Sequence, residues 1–195
     1  MGYPLKNNYR CIWTSSYDRG LVQLLDIWPD VKKAVPKAEL TVTYGWDMFD
    51  ALYRDNPERV AWKQSVNEKM QQPGITHLGR IGQKEMVKEL QRSSFWTYPT
   101  DFDEISCISA MKAQVYGSIP VTMNKAALKE TVQHGVKIVG DINDPLVKKN
   151  YTDSLISLLK DTTLQQEIRD KMIPWAKENL SWEGVAEHFI KEFKS

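Results

Sequence analysis

The stretch Glu104–Lys112, EISCISAMK, sets a carboxylate and an ammonium eight positions apart. On a helix that spacing is about two turns, roughly 12 Å along the axis. The preceding run Phe95–Tyr98 (FWTY) reads as a strand, so Glu104 stands where a strand gives way to a helix. A carboxylate at a helix amino terminus is stabilised by the dipole, by about 0.3–1 kcal/mol, and Lys112 on a solvated helix face needs no ligand. Equally, the acid can accept hydrogen bonds from a ligand's hydroxyls, and the lysine can only donate. The residue types alone allow both readings.

Three further stretches carry candidate chemistry. SSYDRGL (residues 15–21) passes two serines, Ser15 and Ser16, and offers Arg19 and Gly20 as a helix opens. Free N–H groups, the positive helix end and a guanidinium would form an anion site; a solvated arginine beside a turn glycine is the plain alternative. In HLGRIGQKE (residues 77–85), Gly79 and Gly82 bracket Arg80 and Ile81. Such glycines let a backbone approach a flat ligand, or simply make a turn. His77 reads as a packed strand residue. Asp101 and Asp103, in DFD, have the Asp-x-Asp form that holds a metal in some transferases, a pattern three letters long and therefore weak.

The elements that must position these residues alternate. Strands are predicted at Arg10–Thr14, Glu39–Tyr44, Ile75–Leu78, Phe95–Tyr98, Ile119–Thr122 and Lys137–Val139, each rich in β-branched or aromatic residues. Helical patterns lie between them, over Leu21–Val35, Glu58–Met70, Gln83–Leu90, Ser106–Tyr116 and Ala126–Gln133. From Asp144 onward the pattern is wholly helical, through Leu155–Leu159, Leu164–Met172 and Trp182–Phe193. Strand-helix alternation implies an α/β fold: one doubly wound parallel sheet with carboxyl-terminal helices. Such sheets bind ligands beyond the carboxyl ends of their strands, which is where the three stretches fall.

Composition narrows the partners. Across 195 residues, 26 Lys and Arg nearly cancel 25 Asp and Glu, so no electrostatic footprint for nucleic acid exists. No apolar run reaches the roughly 20 residues of a membrane span. The opening MGYPLKNNYR lacks the apolar segment of a signal peptide. Cys11 and Cys107 have no metal-ligand spacing. A reduced, cytoplasmic setting is the expectation, and seven tryptophans suggest large flat packing surfaces.

Taken in order, these stretches resemble the carboxyl-terminal, nucleotide-sugar-binding half of a GT-B glycosyltransferase of the group 1 type, from about Tyr9 to the end. SSYDRGLVQLLDIWPDVKKAVPKAELTVTYGWD is similar to the family's first strand-helix unit and second strand. ITHLGRIGQKEMVKELQRSSFWTYPT resembles the glycine turn near the base and the strand beyond it. FDEISCISAMKAQVYGSIPVT resembles the E-x7-E block, and KAALKETVQHGVKIVGDINDP and SWEGVAEHF complete the series. The resemblance implies retaining transfer of a hexosyl unit from a UDP-, GDP- or ADP-sugar, without metal or cofactor. It assigns catalysis to Glu104, directed at sugar hydroxyls, and to Arg19, directed at the donor diphosphate. Substrate binding would fall to Ser16, Gly20, Gly79, Arg80, Ile81, Ile105, Ser106, Cys107, Ile108 and Lys112.

Two departures stand out. Lys112 occupies the place of the second Glu, which normally accepts from the ribose hydroxyls; it could reach phosphate or pair with Glu130. The amino-terminal acceptor domain has no counterpart here, so the resemblance makes the chain the donor half of a longer enzyme, inactive alone and partnered in cis or in trans. A non-catalytic nucleotide-sugar-binding module is the alternative. An NAD-binding domain lacks support, because no Gly-x-Gly-x-x-Gly follows the first strand.

Overall fold

The computed structural model describes residues 6–194; residues 1–5, the head of the segment read above as free of a leader, and Ser195 lie outside them. Strands β1 (Asn7–Trp13), β2 (Glu39–Thr43), β3 (Ile75–Gly79), β4 (Ser93–Tyr98), β5 (Ile119–Met123) and β6 (Val136–Ile138) form one parallel sheet in the order β3-β2-β1-β4-β5-β6. Every residue of β4 and β5 is buried, as expected of inner strands covered on both faces, whereas edge strands β3 and β6 have no buried position. The six predicted strands all form, with ends shifted by up to three residues.

The helices are α1 (Leu21–Ala34), α2 (Asp47–Tyr53), α3 (Pro57–Lys69), α4 (Gln83–Arg92), α5 (Ile108–Val115), α6 (Leu128–Thr131), α7 (Pro145–Lys160), α8 (Thr162–Leu180) and α9 (Trp182–Lys194). Helix α1 buries the stripe that its spacing announced, with Leu21, Leu24, Leu25, Trp28 and Val31 inaccessible. Helix α2 was not anticipated: it buries no residue, so it has no inward stripe to read. The all-helical tail begins where Asp144 caps α7, its side chain accepting from the Leu146 and Val147 N–H groups.

The tryptophans divide by role. Trp13, Trp28 and Trp96 are inaccessible, while Trp182 on α9 is exposed alongside Phe189, Ile190 and Phe193. Two buried indoles tie down the chain just after β1: Trp96 donates to Thr14 Oγ1 at 2.8 Å, and Trp13 to the Ser15 carbonyl at 2.6 Å. The neighbouring strands β1 and β4 therefore end in a common, braced rim.

Gly20 closes that rim. Its φ is +115°, and a Cβ there would lie 2.4 Å from the Pro99 carbonyl oxygen, against the backbone that follows β4. Gly20→Ala should destabilise the fold by more than about 2 kcal/mol, strain and clash together. Gly79→Ala, at φ +63° with open space around it, should cost about 1–2 kcal/mol. Equal losses in urea unfolding would refute the close contact.

At the other end of the sheet, the Lys6 ammonium donates to the carbonyls of Leu90, Gln91 and Ser93 as the chain leaves α4. Burial, helped by the nearby Arg169 charge, pushes its pKa down to about 7 from 10.5. The unfolded chain then binds the extra proton between those values, so stability rises with pH across that window and the burial cost is full below pH 7. The thermal midpoint should climb from pH 7 to 9, and Lys6→Met should flatten the climb. An equal climb in both proteins would assign it to other groups.

Candidate functional site

The chain leaves β1 toward β2 and β3, and leaves β4 toward β5 and β6, so a crevice opens where the two strands end. One wall is the 3-10 turn Tyr17–Arg19 and the start of α1; the other is the segment from Pro99 to Cys107. Three cavities run along this rim. One of about 180 Å³ is lined by Ser16, Tyr17 and the aromatics of the α2 region; one of about 360 Å³ by Thr14, Arg80, Ile81, Gln83, Ile108 and Lys112, among others; one of about 440 Å³ by Thr100, Asp101, Lys125 and Asn143, among others.

Arg19 and Glu104 meet in the crevice, Nη1 to Oε1 at 3.3 Å. The same Oε1 accepts the Tyr98 hydroxyl at 2.6 Å, and Tyr98, the last residue of β4, packs against Trp13 and Trp96. Glu104 is only 8% exposed; a carboxylate this deep requires such partners. Both bonds fall on Oε1, so Oε2 has no protein hydrogen bond among the described residues. The Arg19 guanidinium carbon lies over the Phe102 ring, 4.1 Å from its centroid, a cation–π contact. Burial and the Glu104 bond drive the Tyr98 hydroxyl's pKa well above its usual value, keeping it a donor.

This geometry corrects the dipole reading of Glu104. Helix α5 starts at Ile108 with Cys107 as its N-cap, so Glu104 precedes the helix and is met by Arg19 and Tyr98 instead. Its backbone carbonyl accepts from Ala127 N–H, which pins the loop to the segment after β5. Ile105 and Ser106 beyond it are exposed, Ile105 at 96%. Cys107 is buried, and burial pushes its thiol up to about 12, so only its backbone is available to a ligand.

Lys112 does not pair with Glu130. Its ammonium donates to Gln83 Oε1 at 2.7 Å, joining α5 to α4 where both residues line the 360 Å³ cavity. Arg80, Ile81, Ile108 and Lys112, proposed separately from the sequence, line this one cavity. Gly79 supplies a positive-φ turn and accepts from the Tyr44 N–H at 3.0 Å. His77 is structural in its contacts, with Nε2 2.7 Å from the Tyr17 hydroxyl. Asp103 lies 3.3 Å from Lys125, whose ammonium also donates to the Asp101 carbonyl. Sequence reading missed Tyr98, Phe102 and Gln83: their partners Glu104, Arg19 and Lys112 lie on other loops or helices, and no spacing rule joins them.

No protein-family model matches the chain, and no curated protein matches it in sequence. Solved structures match it in fold. They include the GtfA/B complex (TM-score 0.75, 12% identity, 97% of this chain and 36% of that one). Another is pneumococcal O-GlcNAc transferase GtfA with UDP and GlcNAc (0.70, 15%, 97% and 36%). A third is Anabaena HepE with UDP-glucose (0.71, 13%, 96% and 49%). The chain thus spans between about a third and a half of these neighbours' lengths, and the Rossmann-like fold of one GT-B half, implied by its motif order, is the fold observed.

The Tyr98–Glu104 bond is open to a direct test. Tyr98→Phe leaves a buried carboxylate with one partner fewer and should cost about 1–3 kcal/mol in urea unfolding. A loss below about 0.5 kcal/mol would mean that the hydroxyl does not hold the acid.

Proposed function

We propose that this chain, which has the fold of one half of a GT-B glycosyltransferase, is the donor-binding half of such an enzyme and holds a nucleoside diphosphate sugar across the crevice between β1 and β4. The observation that carries this reading is the Arg19–Glu104 contact at the crevice, with Glu104 Oε2 unbonded among the described residues. Helices α1 and α5 both begin here without a side-chain cap. Their first N–H groups and Arg19 supply positive potential for a diphosphate. Oε2 of Glu104 can accept from neutral sugar hydroxyls, which suit a carboxylate as phosphate oxygens do not.

In glycosyl transfer, negative charge develops on the departing diphosphate. Arg19 and the helix-end amides would stabilise that charge with groups already in place, so no reorganisation is needed as the bond breaks. Retention of configuration and a hexosyl donor follow by analogy with the resembled enzymes. An amino-terminal acceptor domain, in cis or in trans, would close the crevice and bring the acceptor. In a second reading the domain binds a nucleotide without catalysis; Lys112, a donor where the family places an acceptor, is the observation in its favour.

Calorimetric titration of the domain with UDP, GDP and ADP tests the proposal. At least one should bind, and Arg19→Ala should weaken it about tenfold or more, the loss expected for a charge-assisted hydrogen bond. Binding by none of the three, or binding indifferent to Arg19, would refute the reading. Sugar transfer by the domain alone would refute the need for a second domain.

A further inference from the structure

The 360 Å³ cavity has an unusual charge balance. Two cations, Arg80 and Lys112, line it, and no acid does. Arg80 has no ion pair or hydrogen bond among the described residues. The Lys112 ammonium donates a hydrogen bond to the neutral Gln83 amide and has no acidic partner among the described residues.

The acids on the surrounding elements do not restore the balance. On α4, Glu85 is engaged by Lys88 at 3.0 Å, and Glu89 by Arg10 at 3.0 Å and Arg92 at 2.9 Å. On α2, Asp50 is held by Lys63 at 2.6 Å, which leaves Asp47 as that helix's only unpaired acid, outside the cavity lining. Helix α5 contains no acid. Thr14, Tyr44 and Ser109 add hydroxyls, while Ile81, Met86, Leu90 and Ile108, among others, add apolar wall. Two cations facing a partly apolar hollow attract each other's counterion more strongly than they would in open water.

We propose that this cavity takes a phosphoryl group, bound by the Arg80 guanidinium and the Lys112 ammonium, with Gln83 as the residue that positions Lys112. The inference deepens the nucleotide-binding reading and rests on it for the identity of the carrier. An arginine fork matches phosphate oxygens in two places at once, and the lysine adds a point charge. Ribose hydroxyls could accept from Arg80 and Lys112 and donate to the second lone pair of Gln83 Oε1, but, being neutral, they would leave both cations without a counter-charge. The phosphoryl group can come from two sources: a phosphate on the ribose, or the nucleotide's own diphosphate.

Titrations of the full chain at low salt with ADP, adenosine 2′,5′-bisphosphate and adenosine 3′,5′-bisphosphate separate these sources. The tightest of the three should lose tenfold or more in affinity in Arg80→Ala and in Lys112→Glu, and should weaken steeply as salt is raised. A bisphosphate that binds more tightly than ADP and loses that advantage in Lys112→Glu places the phosphate on the ribose; ADP that binds at least as tightly and is weakened by Arg80→Ala and Lys112→Glu places the diphosphate in the cavity. Gln83→Ala should give a smaller loss that Gln83→Asn does not fully repair, since the shorter amide cannot reach. Affinity unchanged or improved in Lys112→Glu, with melting temperature preserved, would overturn the inference. Loss of ADP binding in Arg19→Ala with indifference to Arg80 and Lys112 would overturn it while sparing the donor-site reading. Bisphosphate binding that survives Arg19→Ala but not Lys112→Glu would uphold it and count against Arg19 as the diphosphate anchor.

Discussion

Everything at the rim depends on two neighbouring parallel strands whose chains depart in opposite directions. No loop can cover the gap above β1 and β4, because each strand's continuation leads away from the other. A gap of this kind is useful only if its walls stay apart by a fixed amount. Here the indoles of Trp13 and Trp96 hold the segment after β1 from beneath. Gly20 presses against the Pro99 backbone from the side. The crevice is thus a product of the core, and the polar groups that face it inherit their positions from aromatic packing.

Charge placement follows from that rigidity. A carboxylate as buried as Glu104 is tolerable only with donors aimed at it. Tyr98 comes from the strand beneath and Arg19 from the opposite wall. Arg19 in turn rests on Phe102, so one guanidinium serves as ion-pair partner, as a cation over an aromatic ring and as part of the wall. Arginine and acid, given separate tasks in the sequence reading, form one unit in the structure rather than two separate groups.

The sequence made the sheet legible because buried parallel strands must be apolar, β-branched or aromatic at nearly every position, and FWTY and IPVT meet that demand. It made α1 legible through its stripe. It did not reveal α2, whose side chains avoid the core, or the late start of α5 at Ile108. The candidate residues were found because they follow strands, and residues at that edge converge whatever lies between them in the chain. Their partners were hidden for the same reason: Arg19 and Glu104 are 85 positions apart, and Gln83 and Lys112 are 29 apart. Periodicity describes one element at a time, and these contacts join elements.

The contact between Gly20 and Pro99 acts as a spacer, and it sorts the β4–α5 loop into two parts for anyone redesigning it. Pro99 and Thr100 cannot move without shifting the start of α1, and Glu104 cannot be exchanged without stranding Tyr98 and Arg19. Ile105 and Ser106 touch neither constraint and stand in water. A library that varies this loop should therefore diversify those two positions and leave the spacer intact.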